Sequence, residues 1–321
     1  MSQGIEAADD LAPEIRQFHE AINSGYAAHP PQPGQTMADR RQVAERVRAP
    51  WAAGGPAMAR TDELRVGPRG VRIRIHRPVL DRGLPSLLYI HGGGWMLFSL
   101  DTHDRLMREY AARAGIAVIG VDYSLSPEAK FPTALEEIVS VIDWLRQDGA
   151  GAGLDPSRIA IAGDSAGANM AVAANLLLRR QAKPLLDGML LNYGAFDHAV
   201  TPSHQRYGGD GYMLNSAEMV VFWDAYLRGP ADYEDPLAVP LRADLQGLPP
   251  AFLAIAGCDI LADGNLSMAA ALRAAGVPVV ANLYEGASHS FLEAVSISPL
   301  ADRALTESAT WLARRLGRTC G

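Results

Sequence analysis

The chain is 321 residues long, 48% hydrophobic and 20% charged, an ordinary composition for a soluble globular protein and long enough to bury a large core. A formal net charge of −7 argues against nucleic acid or another polyanion as partner, because such binders present a basic face. Two cysteines, Cys258 and Cys320, form neither a metal-ligand spacing nor a disulfide framework, which fits a reducing compartment.

The first residues, MSQGIEAADDLAPE, carry acids where a signal peptide needs a basic and then an apolar region. No apolar run approaches the roughly 20 residues of a membrane span. The expectation is a cytoplasmic protein with no membrane partner. Ile15, Phe18 and Ile22 recur at helical spacing, HPPQPG breaks the pattern, and a charged segment around residues 38–48 predicts a second helix. Residues 1–55 therefore read as an accessory layer. From Thr61, ELRVGPRGVRIRIHRP alternates and turns at residues 67–70, which predicts an antiparallel pair of strands. Short apolar runs follow, separated by helical segments: SLLYIHG, IAVIGVDY, RIAIAGD, GMLLNYG, AFLAIAG and VPVVANLY. Runs that are apolar on both faces and alternate with helices predict an α/β fold, a mostly parallel sheet covered on both sides.

GAGAG, residues 149–153, precedes a strand, whereas a phosphate-binding glycine loop must follow one, so it reads as a flexible helix-to-strand loop. Between Asn192 and Pro249 lie nearly sixty residues where one crossover helix would suffice, including TPSHQRYGGDGYMLN and AEMVVFWDAYLRG. An excursion of that length reads as a lid.

GDSAG, residues 163–167, joins the strand RIAIAGD to the helical run ANMAVAANLLL. Ser165 could simply cap that helix. The alternative is a nucleophile elbow, in which glycines two residues either side let a strained turn hold the hydroxyl up at the sheet edge. A serine hydroxyl is a poor nucleophile unless a base and an orienting acid serve it. In the hydrolase order both follow the serine, each beyond a strand end. His19, His29, His76, His91 and His103 precede Ser165, and His198 and His204 fall in the long excursion, which leaves His289 in EGASHSF. Asp259, two residues past AFLAIAG, is the expected acid; its competitor Asp263 suits the first turn of the next helix. HGGGW follows SLLYI, where backbone N–H groups free of side chains can converge on a developing oxyanion, with Ala166 supplying another; His91 is then structural. Asp164 points away from the substrate if Ser165 points towards it.

HGGGW, GDSAG, DYSLSPEAKFPTALEE, GCDILAD and GASHSF, in this order, resemble the bacterial hormone-sensitive-lipase-like esterases of the α/β-hydrolase fold over about residues 60–316. The resemblance implies an eight-stranded sheet with helices on both faces and a helical cap. Residues 1–55 would supply the N-terminal part of the cap, and residues 56–321 the catalytic domain, with a cap insertion at about 195–245. It also implies oxyanion donors among Gly92, Gly93, Gly94 and Ala166. Two departures stand out: the family's arginine in Y-R-L-A-P-E is Ser124 here, and Phe98 replaces a common glycine, which narrows the site.

The expected activity is hydrolysis of short- to medium-chain acyl esters of small molecules by Ser165, Asp259 and His289, with no metal and no cofactor. Asp101, His103 and Asp104 read as a helix start capped by Ser99 or Asp101 rather than as a metal cluster. Trp95, Phe98, Tyr193, Tyr212, Phe222 and Trp223 are candidates for the pocket wall, against the general tendency of aromatic side chains to belong to the core. Amide or lactone hydrolysis would use the same triad. A non-catalytic receptor is the more distant alternative: the plant gibberellin receptors resemble this family but have lost the catalytic histidine, and His289 is present here. A homodimer stays open.

Overall fold

The computed structural model describes residues 10–318; Cys320 and the acidic stretch 1–9 lie outside the described residues. Strand β1 (Arg60–Val66) turns back into β2 (Val71–Arg77), with Val71, Ile73 and Ile75 buried between outward-facing Arg72 and Arg74. Every residue of β3 (Leu84–Ile90) is buried, as are five of the six in β4 (Ala117–Asp122) and all of β6 (Met189–Asn192). Apolar residues on both faces fit strands sandwiched between helices. With β5 (Leu154–Asp164), β7 (Ala251–Cys258) and β8 (Val279–Ser288) they form one eight-stranded sheet in the order β1-β2-β4-β3-β5-β6-β7-β8. Among the described residues only the β1–β2 and β2–β4 pairings are antiparallel.

Helices α3 (Asp104–Ala114), α4 (Thr133–Asp148), α5 (Ala166–Arg180), α8 (Ala262–Ala274) and α9 (Pro299–Arg315) connect or flank the strands. In α5 every residue from Ala166 through Leu178 is buried, so it is a core helix, and its run of alanines brings its backbone close to the sheet. Because β3, β5, β6, β7 and β8 run parallel, their C-terminal ends meet along one edge, where ligands of open α/β sheets bind.

Two expectations need correction. Neither Ser99 nor Asp101 caps α3: its N-cap is His103, the Ser99 hydroxyl accepts from the Asp101 N–H at 3.0 Å, and the Asp101 carboxylate pairs with Arg74 at 2.7 Å. The GAGAG segment is a 3₁₀ turn over Gly149–Ala152 rather than an open loop.

The N-terminal layer consists of α1 (Pro13–Ala27) and α2 (Met37–Ala52). Ile15, Phe18 and Ile22 are buried at the expected helical spacing, and Phe18 meets Trp51 edge-on at 4.6 Å. Arg41 of α2 donates to the Met96 and Ser126 carbonyls and makes a two-pronged ion pair with Glu128. Arg105 and Arg108 of α3 hold the carbonyls of Ala53, Gly54 and Pro56 beyond its other end. The excursion after β6 contains α6 (Pro202–Tyr207) and α7 (Ser216–Tyr226). Its root is fixed by Asn169, which donates to the Ala195 and Ala238 carbonyls, and by Asn265, bonded to both the N–H and the carbonyl of Gly194. Where the related motif has arginine, Ser124 donates its N–H and hydroxyl to the two oxygens of Glu137, both at 2.7 Å.

Candidate active site

Strand β5 ends at Asp164 and α5 begins at Ala166, which leaves Ser165 alone in the turn with φ 54° and ψ −119°. A positive φ in a residue bearing a Cβ costs about 1–3 kcal/mol and persists only where the surroundings enforce it. Here they do: a Cβ on Gly167 would collide with the Ile90 carbonyl, so only glycine lets α5 start this close to β3. The hydroxyl of Ser165 is thereby lifted off the sheet edge.

His289 follows β8 and Asp259 follows β7. The Nε2 of His289 lies 2.9 Å from the Ser165 hydroxyl oxygen, and its Nδ1 lies 2.7 Å from Asp259 Oδ2. An ionised carboxylate only accepts, so Nδ1 carries the proton and the lone pair on Nε2 faces the serine O–H. Asp259 is itself held by the Leu261 N–H at 3.0 Å, and Tyr193 meets the imidazole edge-on at 5.1 Å. Asp263 sits in the first turn of α8, accepting from the Ser203 N–H at 2.8 Å. The structure thus brings Ser165, His289 and Asp259 together and engages Asp263 elsewhere.

The glycine loop after β3 divides its labour. Gly92 is corrected as an oxyanion donor: its N–H already donates to Asp164 Oδ1 at 3.1 Å. Gly93 and Gly94, at φ 109° and 58°, donate to no other group among the described residues. Ala166 is the first residue of α5, where an N–H has no intrahelical acceptor. Beneath the loop, Asp164 also accepts from the Tyr89 hydroxyl at 2.8 Å and lies 3.3 Å from His103 Nε2. Burial works against charge on both members of this pair, but each is overridden by its partner: His103 is raised above the usual imidazole value and Asp164 is lowered below the usual carboxylate value. Burial, reinforced by the His103 charge, pushes His91 down to about 3. Neutral His91 stacks on Tyr123 at 4.4 Å and bonds the Gly92 carbonyl, a structural role.

Over Ser165 lies a cavity of about 220 Å³. Its walls come from the loops at the sheet edge (Gly93, Gly94, Leu97, Phe98, His289), from α1 and α2 (Ile22, Asn23, Tyr26, Arg48) and from the excursion (Met213, Leu214, Glu218, Met219, Phe222). Of the six aromatic candidates, Phe98 and Phe222 line it. The other four are corrected. Trp95 is buried flat against Tyr226 at 4.3 Å; Tyr193 is wholly buried behind the imidazole; Tyr212 donates to Asp10; Trp223 packs on Trp95 and faces a separate groove beside Val220. Arg48 escaped the sequence reading because α2, with four arginines, looks like a solvated helix. The only signal was the short stripe Ala44, Val47, Arg48 at i, i+3, i+4, which is its buried face.

Residues 87–293 match a family described as having the alpha/beta hydrolase fold. Solved structures similar to this chain include an ester hydrolase from the metagenome of Lake Arreo, at 30% identity and a TM-score of 0.89 over 96% of this chain and 99% of that one. An esterase from the hyperthermophilic archaeon Pyrobaculum calidifontis matches at 31% identity and 0.88, covering 95% and 98%. A thermophilic carboxylesterase, EstE1, cloned from a metagenomic library, matches at 32% and 0.85, covering 89% and 99%.

Proposed function

This chain belongs to the α/β-hydrolase family, in its hormone-sensitive-lipase-like branch, and on that premise we propose that it is a serine carboxylesterase of small acyl esters. The observation that carries the proposal is the relay of 2.9 Å and 2.7 Å from Ser165 through His289 to Asp259, opening beside the free N–H groups of Gly93 and Gly94. As Ser165 Oγ bonds to the ester carbonyl carbon, its proton passes to His289 Nε2, and Asp259 stabilises the imidazolium. The carbonyl oxygen, now negative, is held by the N–H groups of Gly93, Gly94 and Ala166. The imidazolium then protonates the leaving alcohol, and water repeats the sequence on the acyl-enzyme.

The two segments 1–55 and about 195–245 act as a cap, a reading supported by the cavity-wall residues each contributes. A covered cavity of about 220 Å³ admits short and medium acyl chains. Among the described residues no helix is long and apolar enough to cross a membrane, and the proposed setting is the cytoplasm. A homodimer is included in the proposal: among the described residues β8 pairs only with β7, and on this edge strand Val280 and Leu283 are exposed. Turnover of p-nitrophenyl acetate, butanoate and hexanoate, each lost in Ser165→Ala, is the expected result. Turnover undiminished in that variant would overturn the proposal.

A further inference from the structure

Arg48 is 5% exposed, in the wall of the cavity over Ser165. Its Nη1 donates to Glu293 at 2.9 Å, four residues past His289, and this ion pair is buried on both sides. The face of its guanidinium lies 4.9 Å from the Phe98 ring centre, and the Tyr26 hydroxyl is a further hydrogen-bond partner of the fork. The opposite edge of the fork is different. Nε is buried with no hydrogen-bond partner among the described residues, and beside it Nη2 meets the Met213 sulfur, a weak acceptor 3.9 Å away. Aromatic contact satisfies the face of a guanidinium but does nothing for an in-plane donor such as Nε. Buried donors in native proteins nearly always find an acceptor. Met213, a flexible side chain on the same cavity wall, can yield its place.

We infer that the Nε–Nη2 edge of Arg48 determines specificity, recognising a second, neutral oxygen acceptor, a ketone or ether oxygen, in the ester substrate. A neutral acceptor fits better than a carboxylate, because Glu293 already balances the charge of Arg48 and Glu218 adds a further acid to the cavity wall. A site built to donate hydrogen bonds rejects an analogue that leaves its donors unpaired more strongly than an apolar pocket rejects a methylene. The inference rests on the esterase reading of Ser165.

The test compares near-isosteric pairs of esters: ethyl 4-oxopentanoate against ethyl 4-methylpentanoate for the acyl half, and 2-methoxyethyl acetate against butyl acetate for the alcohol half. Monoethyl succinate supplies the carboxylate arm. The intact enzyme is expected to favour the acceptor-bearing member of at least one pair by about tenfold or more in kcat/KM, the scale of one hydrogen bond to a charged donor, and to show no preference for the hemiester. In Arg48→Lys, and in Arg48→Met combined with Glu293→Gln so that no lone buried charge remains, the ratio should fall to near one. A merely structural role for Arg48 would alter all esters together and leave the ratio unchanged. Ratios near one in the intact enzyme, ratios retained in both variants, or preference for the hemiester would each overturn the inference. Fluorophosphonate labelling separates it from its premise: a labelled Ser165 with null ratios removes this inference alone, whereas no label at Ser165 removes both.

Discussion

At the scale of single residues, contact favours Asp259 over Asp263 as the proposed acid. Asp259 touches the imidazole at 2.7 Å, while Asp263 is occupied by the Ser203 N–H. Asp259→Asn should retain the fold but favour the wrong imidazole tautomer, a change that lowers kcat by about 10⁴ in a well-studied triad. Asp263→Asn should fall far short of that. Steady-state kinetics on both variants checks the assignment, and a larger loss from Asp263→Asn would reverse it. This distinction was legible in the sequence because each acid stands at a fixed offset from the strand AFLAIAG. The exclusion of Gly92 was not. Motif spacing shows three consecutive glycines, and only the placement of Asp164 on the neighbouring strand reveals that one of their N–H groups is already taken.

At the scale of elements, the loop after β3 and the end of β5 are joined by the buried His103–Asp164 pair. The pair makes stability depend on pH in a definite direction. His103 is raised in the folded state, so its contribution is fully present below the unfolded histidine value of about 6.5 and is lost as pH rises through the folded value. Asp164 is lowered, so its contribution is present above about 3.9 and is lost as pH falls through the folded value. Urea unfolding should therefore show the widest gap between the native chain and His103→Asn at about pH 5.5, narrowing as pH rises. A gap that widens towards alkaline pH would contradict the pairing. Asp164→Asn strands the buried imidazolium and should cost about 3–5 kcal/mol at the lower pH. Sequence periodicity placed the strands and α1 well, since their apolar spacing survives folding unchanged. It misplaced the start of α3 because Ser99 and Thr102 spend their hydroxyls within a turn ahead of the helix.

At the scale of the whole molecule, the two segments that wall the cavity are far apart in sequence and meet only in the folded chain. That is why Arg48, Met213 and Glu218 could not be read as neighbours, whereas Ser165, Asp259 and His289 could, each marked by its strand end. The cap proposal makes acyl length a whole-molecule property. Acetyl to hexanoyl esters should be turned over far better than palmitoyl esters. Deleting residues 1–45 removes Ile15, Phe18, Ile22 and the Arg41 anchor, and should uncover apolar surface and impair activity with the triad intact. Kinetics on an ester length series for both chains decides it; undiminished short-chain activity after the deletion would remove the N-terminal helices from the cap.

The central claim is that Ser165, served by His289, is the nucleophile. Reaction of the intact protein with a fluorophosphonate, followed by peptide mapping of the modified residue, addresses it most directly. The account predicts one equivalent of label on Ser165, none on any residue in Ser165→Ala, and labelling slowed by orders of magnitude in His289→Ala. Label carried by another serine, or labelling of Ser165 at an undiminished rate without His289, would contradict it.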